Sequence, residues 1–290
     1  MMHYFILGKG GVGKSTVALL KALAFNAQGK TVRLVSLDQA HNLSDILGPD
    51  ADKIPKDLII DEPDIDRFIK EYVSQSEALL KKNYRYLTAL NLEHHFNILK
   101  YAPGMEEYGL LLAYQRYLKR AREDVLLFDM PPTALALKFF SLPFVSIIWL
   151  KQLRELRRQI LEKKQIISGV KFGKKEVETD SIKKNLEEQL EQYREITQQF
   201  QNGETCRIAV VANADSVSIA ESARIIRHLE ELSISVSEFF LNKSTEEGLK
   251  QLQLPVKEKI RLILIQPSTK TLVGMSALSE FMKTCSQSLV

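Results

Sequence analysis

The sequence predicts an α/β fold: a doubly wound, mostly parallel sheet with an inserted helical subdomain. Three observations predict it. Strand-like apolar runs alternate with stretches of helical periodicity, the rhythm of a parallel sheet with crossover helices. The first run, His3–Leu7, passes straight into the loop Gly8-Lys9-Gly10-Gly11-Val12-Gly13-Lys14-Ser15-Thr16 and then into a helical pattern (Val17, Leu19, Leu20, Ala22, Leu23). Two segments, about 60–92 and 150–201, break the rhythm and read as helical insertions forming a side lobe on a single domain of residues 1–290.

The loop after the first strand matches Gly-x-x-x-x-Gly-Lys-Ser, and its strand–loop–helix setting makes it a phosphate site of the P-loop NTPase type. Residues Gly8 to Thr16 would close backbone N–H groups around phosphate oxygens, aided by the positive end of the helix. Lys14 reaches the outer phosphates and the Ser15 hydroxyl is placed to ligate Mg2+. These residues predict a nucleoside triphosphate ligand. Lys9 is not demanded by this pattern, and a second cation beside Lys14 is repelled unless phosphate charge is present.

Later elements follow in order. Val32–Leu37 is a strand ending at Asp38, and a carboxylate at that end of a parallel strand faces the ligand crevice. Ile65, Phe68, Ile69, Tyr72, Val73, Leu79 and Leu80 recur at helical spacing in the first insertion. Phe96–Tyr101 reads as a strand, and Pro103-Gly104 as a turn opening a helix. Val125–Asp129 is a continuous apolar strand closing on an acid, a form that suits a magnesium-holding Asp129. Ser146–Trp149 reads as a further strand. Leu150 to Phe200 reads as a helical hairpin turning at Ser168-Gly169 and Gly173. Residues 151–175 hold nine Lys/Arg against two acids, whereas 176–200 hold three against seven, so the two arms are expected to neutralise each other. An anionic lipid or acidic partner is the alternative for the basic arm. Arg207–Ala212, Ser235–Leu241 and Arg261–Ile265 complete the strands.

Composition narrows the class. The 290 residues carry a net charge of only +4, so no specific nucleic-acid partner is expected. The first strand occupies the N-terminus, where a secretory signal would need a basic and then an apolar region. Phe139–Leu150 is interrupted by Pro143 and is shorter than a bilayer span, so at most peripheral membrane contact is expected. Cys206 and Cys285 are far apart, which suits a cytoplasmic protein and offers no metal-binding pair.

Lys9-Gly10-Gly11-Val12-Gly13-Lys14-Ser15-Thr16 resembles the deviant phosphate loop of dimer-forming ATPases. Asp38-Gln39-Ala40-His41-Asn42-Leu43 is similar to switch I of the arsenite-pump (ArsA-type) and tail-anchored-protein-targeting ATPases within that class. The resemblance implies an ATP-hydrolysing homodimer with ATP and Mg2+ sandwiched between subunits, and with Lys9 on the partner's nucleotide. It implies that Asp38 orients the attacking water, that Ser15 and Asp129 hold magnesium, and that His41 is a hydrogen-bonding switch residue. Asn242, after Phe239-Phe240-Leu241, is at the position that reads adenine, and Gln266-Pro267 resembles the segment covering the base. Met130-Pro131-Pro132-Thr133 resembles switch II, but Ala134-Leu135 stands where the family has Gly-His, and Gln39 where it has Pro. The loss of glycine stiffens switch II and points to slow or regulated hydrolysis. A protein client or membrane-protein segment is the implied partner. A partition- or division-site positioning ATPase, or a nucleotide-dependent binding module with little hydrolysis, are the alternatives.

Overall fold

β1 (Met2–Gly8) lies at the centre of a seven-stranded sheet in the computed structural model of this chain, which describes residues 1–40, 43–48, 53–83, 98, 100–168, 180–244, 252–256 and 259–289. With β2 (Val32–Ser36), β3 (Leu58–Asp61), β4 (Val125–Asp129), β5 (Cys206–Asn213), β6 (Glu238–Asn242) and β7 (Arg261–Ile265), the order is β3-β2-β4-β1-β5-β6-β7. Every pairing is parallel. The chain runs outward from β1 in both directions, so the carboxyl ends of β4, β1 and β5 flank a topological switch point, where open α/β sheets bind ligands.

Alternation along the strands builds a core on each face. Phe5, Leu7, Val35, Leu126, Phe128, Ile208, Val210 and Phe239 point to one, and Tyr4, Ile6, Leu34, Leu127, Ala209, Val211, Phe240 and Ile263 to the other. The second face is covered by α1 (Lys14–Ala27) and the C-terminal helix α8 (Met275–Leu289), which supply Leu19, Leu23 and Leu278. The first carries α3 (Ile65–Asn83), α4 (Met105–Arg120), α5 (Thr133–Ser168), α6 (Ser181–Gln201) and α7 (Ser216–Glu231). The short α2 (Leu43–Leu47) follows β2. Ile65, Phe68, Ile69 and Val73 of α3 share the core with Phe5, Tyr114, Phe139 and Phe200.

The structure departs from the sequence expectations in four places. Ser146–Trp149 is not a strand but the middle of α5, whose helix continues through Pro143. Its β-branched run is overridden by packing, with Phe139 and Phe140 fully buried before it and Leu150 buried after it. The expected strand Phe96–Tyr101 lies partly outside the described residues; Ile98 is helical and Lys100–Tyr101 form a turn. Leu58–Asp61, framed by Pro55 and Pro63, is an edge strand rather than part of the helical insertion, and Glu238–Asn242 begins three residues later than the periodicity suggests.

α5 and α6 pack against each other, the expected turn at Gly169 and Gly173 lying outside the described residues, and among the described residues most of their ion pairs lie within one helix. Arg158 pairs with Glu155 at 2.6 Å and with Glu162, Lys184 with Glu188 at 3.8 Å, and Arg194 with Glu191 at 3.1 Å. Arg157 crosses to Asp180, the residue that caps α6, at 3.0 Å. Thr133–Lys163 is long and apolar enough to cross a membrane: an 18-residue window in it has a mean hydropathy of 1.8, and 28% of that window is buried. Its buried side chains, including Ala136, Phe139 and Phe140, belong to the domain core, and its outer face, with Val145, Ile148 and Trp149, is exposed.

Candidate functional site

The phosphate loop is held differently along its length. A Cβ on Gly8 would lie 2.4 Å from the Val211 carbonyl of β5, and one on Gly13 would lie 2.7 Å from Asn242. A Cβ on Gly10 or Gly11 would meet nothing within 4 Å. The outer glycines are therefore required by the neighbouring strands, and the inner ones leave the loop open to a ligand. Gly13 caps α1 with a left-handed φ of 89° and no side-chain cap, leaving the first helical N–H groups for an anion.

Two clefts meet around this loop. One, of about 280 Å³, is lined by Gly11, Gly13, Lys14, Ser15, Thr16, Asp38, Ala40, Asp45 and Ile46. The other, of about 330 Å³, shares Gly13 and Thr16 and adds Asn242, Gln266, Pro267 and Phe281. A phosphate chain in the first and a flat apolar group in the second fit one nucleotide. A larger hollow of about 430 Å³ lies beyond the 266–272 segment and includes no phosphate-loop residue, so it is not the chemical centre.

The charged groups converge. Lys14 Nζ lies 3.8 Å from Asp38 and donates to the Lys9 carbonyl at 3.5 Å; Lys14 and Asp38 are both buried. Asp38 also accepts from the Ala40 N–H at 3.1 Å, which bends the chain back over its own carboxylate. The Leu37 N–H donates to the Asp129 carbonyl and the Met130 N–H to the Ile6 carbonyl, at 2.8 and 3.1 Å. These bonds bring Asp38, Asp129 and the loop to one edge of the sheet. Asp129 is fully buried and does not line the phosphate cleft. Thr133, at the start of α5, donates to Glu221 of α7 at 2.6 Å.

The site thus brings together Gly13, Lys14, Ser15, Thr16 and Asp38, and separately Asn242, Gln266 and Pro267. Lys9 is half-buried and lines neither cleft, and His41 lies outside the described residues. Asp45 and Ile46 also line the phosphate cleft, which the sequence alone did not assign. Their place follows from Glu62, whose carboxylate accepts from the N–H groups of Leu43 and Ser44 and pins the start of α2 beside the loop. An acid four residues after β3 starts gave no readable signal.

A family model described as anion-transporting ATPase matches residues 1–264. The chain belongs to the ArsA-type anion-transporting ATPase family. It carries the family's nucleotide-binding ATPase domain. A protein of Aquifex aeolicus (strain VF5) with the provisional name arsenical pump-driving ATPase 1 is 28% identical over 254 residues, or 84% of this chain. This chain spans 63% of that relative's length. ATPase GET3C of Arabidopsis thaliana is 25% identical over 293 residues, covering 92% of this chain and 74% of its own. ATPase get3 of Schizosaccharomyces pombe (strain 972 / ATCC 24843) is 28% identical over 253 residues, covering 82% and 72%.

Proposed function

We propose that this ArsA-family chain is a homodimeric ATP-hydrolysing switch that couples its nucleotide state to an apolar protein client. The observation that carries this reading is the 3.8 Å contact between Lys14 and Asp38. The cation that grips the outer phosphates and the carboxylate assigned to water stand within one charge contact. An incoming triphosphate competes for Lys14 and relieves Asp38 of that contact, and Asp38 then orients the attacking water, a step dominated by positioning and electrostatics. Ser15, with the Asp38 and Asp45 carboxylates around it, offers the hard oxygen donors that suit Mg2+, and Asp129 behind them suits contact through the ion's water shell. When bound, the metal would neutralise charge developing on the transferred phosphate. The base cleft suits adenine, with Asn242 at its edge and Gln266-Pro267 over it.

Lys9, which lines neither cleft of its own chain, supports the dimer, because one chain has one phosphate loop and the deviant lysine would serve the opposing nucleotide. An apolar client is supported by one face of α5. Val145, Ile148, Trp149, Leu153, Leu156 and Ile160 are all exposed and recur at three- and four-residue spacing. Relatives named for arsenical pumping raise a metalloid instead, which needs adjacent thiolates. Cys206 and Cys285 are buried in the cores on opposite faces of the sheet, and burial pushes the Cys206 thiol up to about 12, so the geometry favours the apolar client.

Two measurements test this. With Mg-ATP, light scattering is expected to give a dimer for the chain and a monomer for Lys9→Ala, with ATP still bound; a monomer in both cases overturns the sandwich. Trp149 is the sole tryptophan, so its emission should shift to the blue when an apolar 20-residue helical peptide is added in one nucleotide state more than the other. An unmoved spectrum in every state removes the α5 face as the client surface.

A further inference from the structure

We propose that Asn242 is a positioning residue for the phosphate loop, so that the base cleft and the phosphate cleft are built as one unit; the inference rests on reading the loop as a triphosphate site. Its Nδ2 donates to the Val12 carbonyl at 2.8 Å across 230 residues of sequence. Its Oδ1 accepts from the Lys243 N–H at 2.9 Å, and Lys243 adopts a left-handed φ of 53°, a rare conformation for a long side chain. The turn after β6 thus fixes the side chain from one end and the loop receives it at the other. The same amide lies where a Gly13 side chain would begin, 2.7 Å from that ideal Cβ, so Gly13 and Asn242 fit only as a pair.

The consequence for the phosphates comes from the planarity of the peptide unit. In a trans peptide the Val12 carbonyl and the Gly13 N–H point in opposite directions. Holding the carbonyl toward β6 turns the Gly13 N–H away from β6, so the donor is set before a ligand arrives. A preset donor binds an anion more tightly than one that must first be ordered. Removing Asn242 takes away the bond that holds the Val12 carbonyl toward β6 and loosens the peptide.

This role differs from reading a base, and a base-free ligand separates the two. Calorimetric titration of the full chain with inorganic tripolyphosphate and magnesium is expected to show about five- to tenfold weaker binding for Asn242→Ala, the loss of one hydrogen bond to a functional loop. The ratio of ATP to ITP affinity, measured on the same proteins, reports base reading on its own. Unchanged tripolyphosphate affinity overturns the positioning role, whatever happens to that ratio; a wild-type chain that binds neither tripolyphosphate nor ATP overturns the triphosphate reading instead. Thermal unfolding without ligand separates loop loosening from general damage, since the proposal expects a midpoint within a few degrees of wild type. Should Asn242→Ala unfold, Asn242→Ser keeps a small polar side chain too short to reach Val12, and the same loss of tripolyphosphate affinity is expected of it.

Discussion

Substituting Glu238 with glutamine removes the charge from a buried cluster beneath the loop. Glu238 Oε2 accepts from Tyr4 Oη at 2.5 Å and lies 3.0 Å from Lys21 Nζ, which also donates to Oε1 at 3.2 Å. These side chains are 4%, 0% and 2% exposed, and they join β6, β1 and α1. The amide oxygen of glutamine still serves Tyr4, but its NH2 then faces the ammonium donor to donor. Breaking a buried pair by neutralising one partner costs about 3–5 kcal/mol, here at the lower end because Lys21 also lies 5.0 Å from the Phe25 ring and 5.3 Å from that of Tyr4. The pH dependence gives the signature. Burial holds the Lys21 pKa below its usual value against the pull of Glu238, with Arg261 and Arg207 lowering it further. The unfolded chain therefore binds more protons than the native one below pH 10.5, and stability rises as pH climbs toward that value. Losing Glu238 deepens the depression, so the deficit of the variant relative to wild type shrinks as pH rises. Urea unfolding at pH 7, 8 and 9 measures both the loss and the slope. A variant as stable as wild type at pH 7, or one whose deficit stays constant to pH 9, refutes the charged cluster.

Asp38→Asn should lower ATP turnover by at least about a hundredfold while ATP affinity holds or rises, since a carboxylate 3.8 Å from Lys14 no longer competes with phosphate; single-turnover kinetics and equilibrium binding decide, and near-wild-type turnover excludes Asp38 from water positioning. His3 is buried against Tyr114 at 3.1 Å, and burial, with help from the N-terminal charge, lowers its pKa to about 4 from 6.5. Its neutral form is favoured in the native state, so its contribution is complete above pH 6.5 and lost as pH falls toward 4, amounting to about 2 kcal/mol at pH 5. Unfolding of His3→Gln should show a correspondingly smaller drop between pH 7 and 5, and an identical drop would exclude His3 as the titrating group.

Much of the site was legible because its chemistry is local. The phosphate loop is nine consecutive residues, and Asp38 and Asp129 each end an apolar run, so spacing alone brought them to one edge of the sheet. What failed was set by distant packing. Ser146-Ile147-Ile148-Trp149 has strand composition, yet Phe139 and Phe140 anchor the same helix among Phe5, Tyr114 and Phe200, and that aromatic contact decides the conformation. β3 was overlooked because it is only four residues long between two prolines, and its pairing with β2 is invisible from its own composition. Asp45 enters the cleft only because Glu62, from the far end of β3, caps α2. Asn242 was legible as a strand-end residue, but not its bond to Val12, which no periodicity spans.

In the proposed switch, the path from hydrolysis to a client would be a single element. α5 starts at Thr133, four residues after Asp129, and carries its exposed apolar face from Val145 to Ile160. At 1.5 Å per residue Ile160 lies about 40 Å along the axis from Thr133, so a tilt of about 5° at the base displaces the far end by about 3.5 Å. Two polar rungs to α7 hold that base: Thr133 to Glu221 at 2.6 Å and Ser141 to His228 at 2.7 Å. Ser141 also donates its proton to the Leu137 carbonyl at 2.8 Å, so His228 must be the donor on the second rung. Pro143 follows directly and has no N–H for the Phe139 carbonyl, which makes the helix weakest between the rungs and the apolar face. Stiffening switch II with Ala134-Leu135 does not cut this path. In the proposed switch the compliance would then sit at Pro143, outside the nucleotide site.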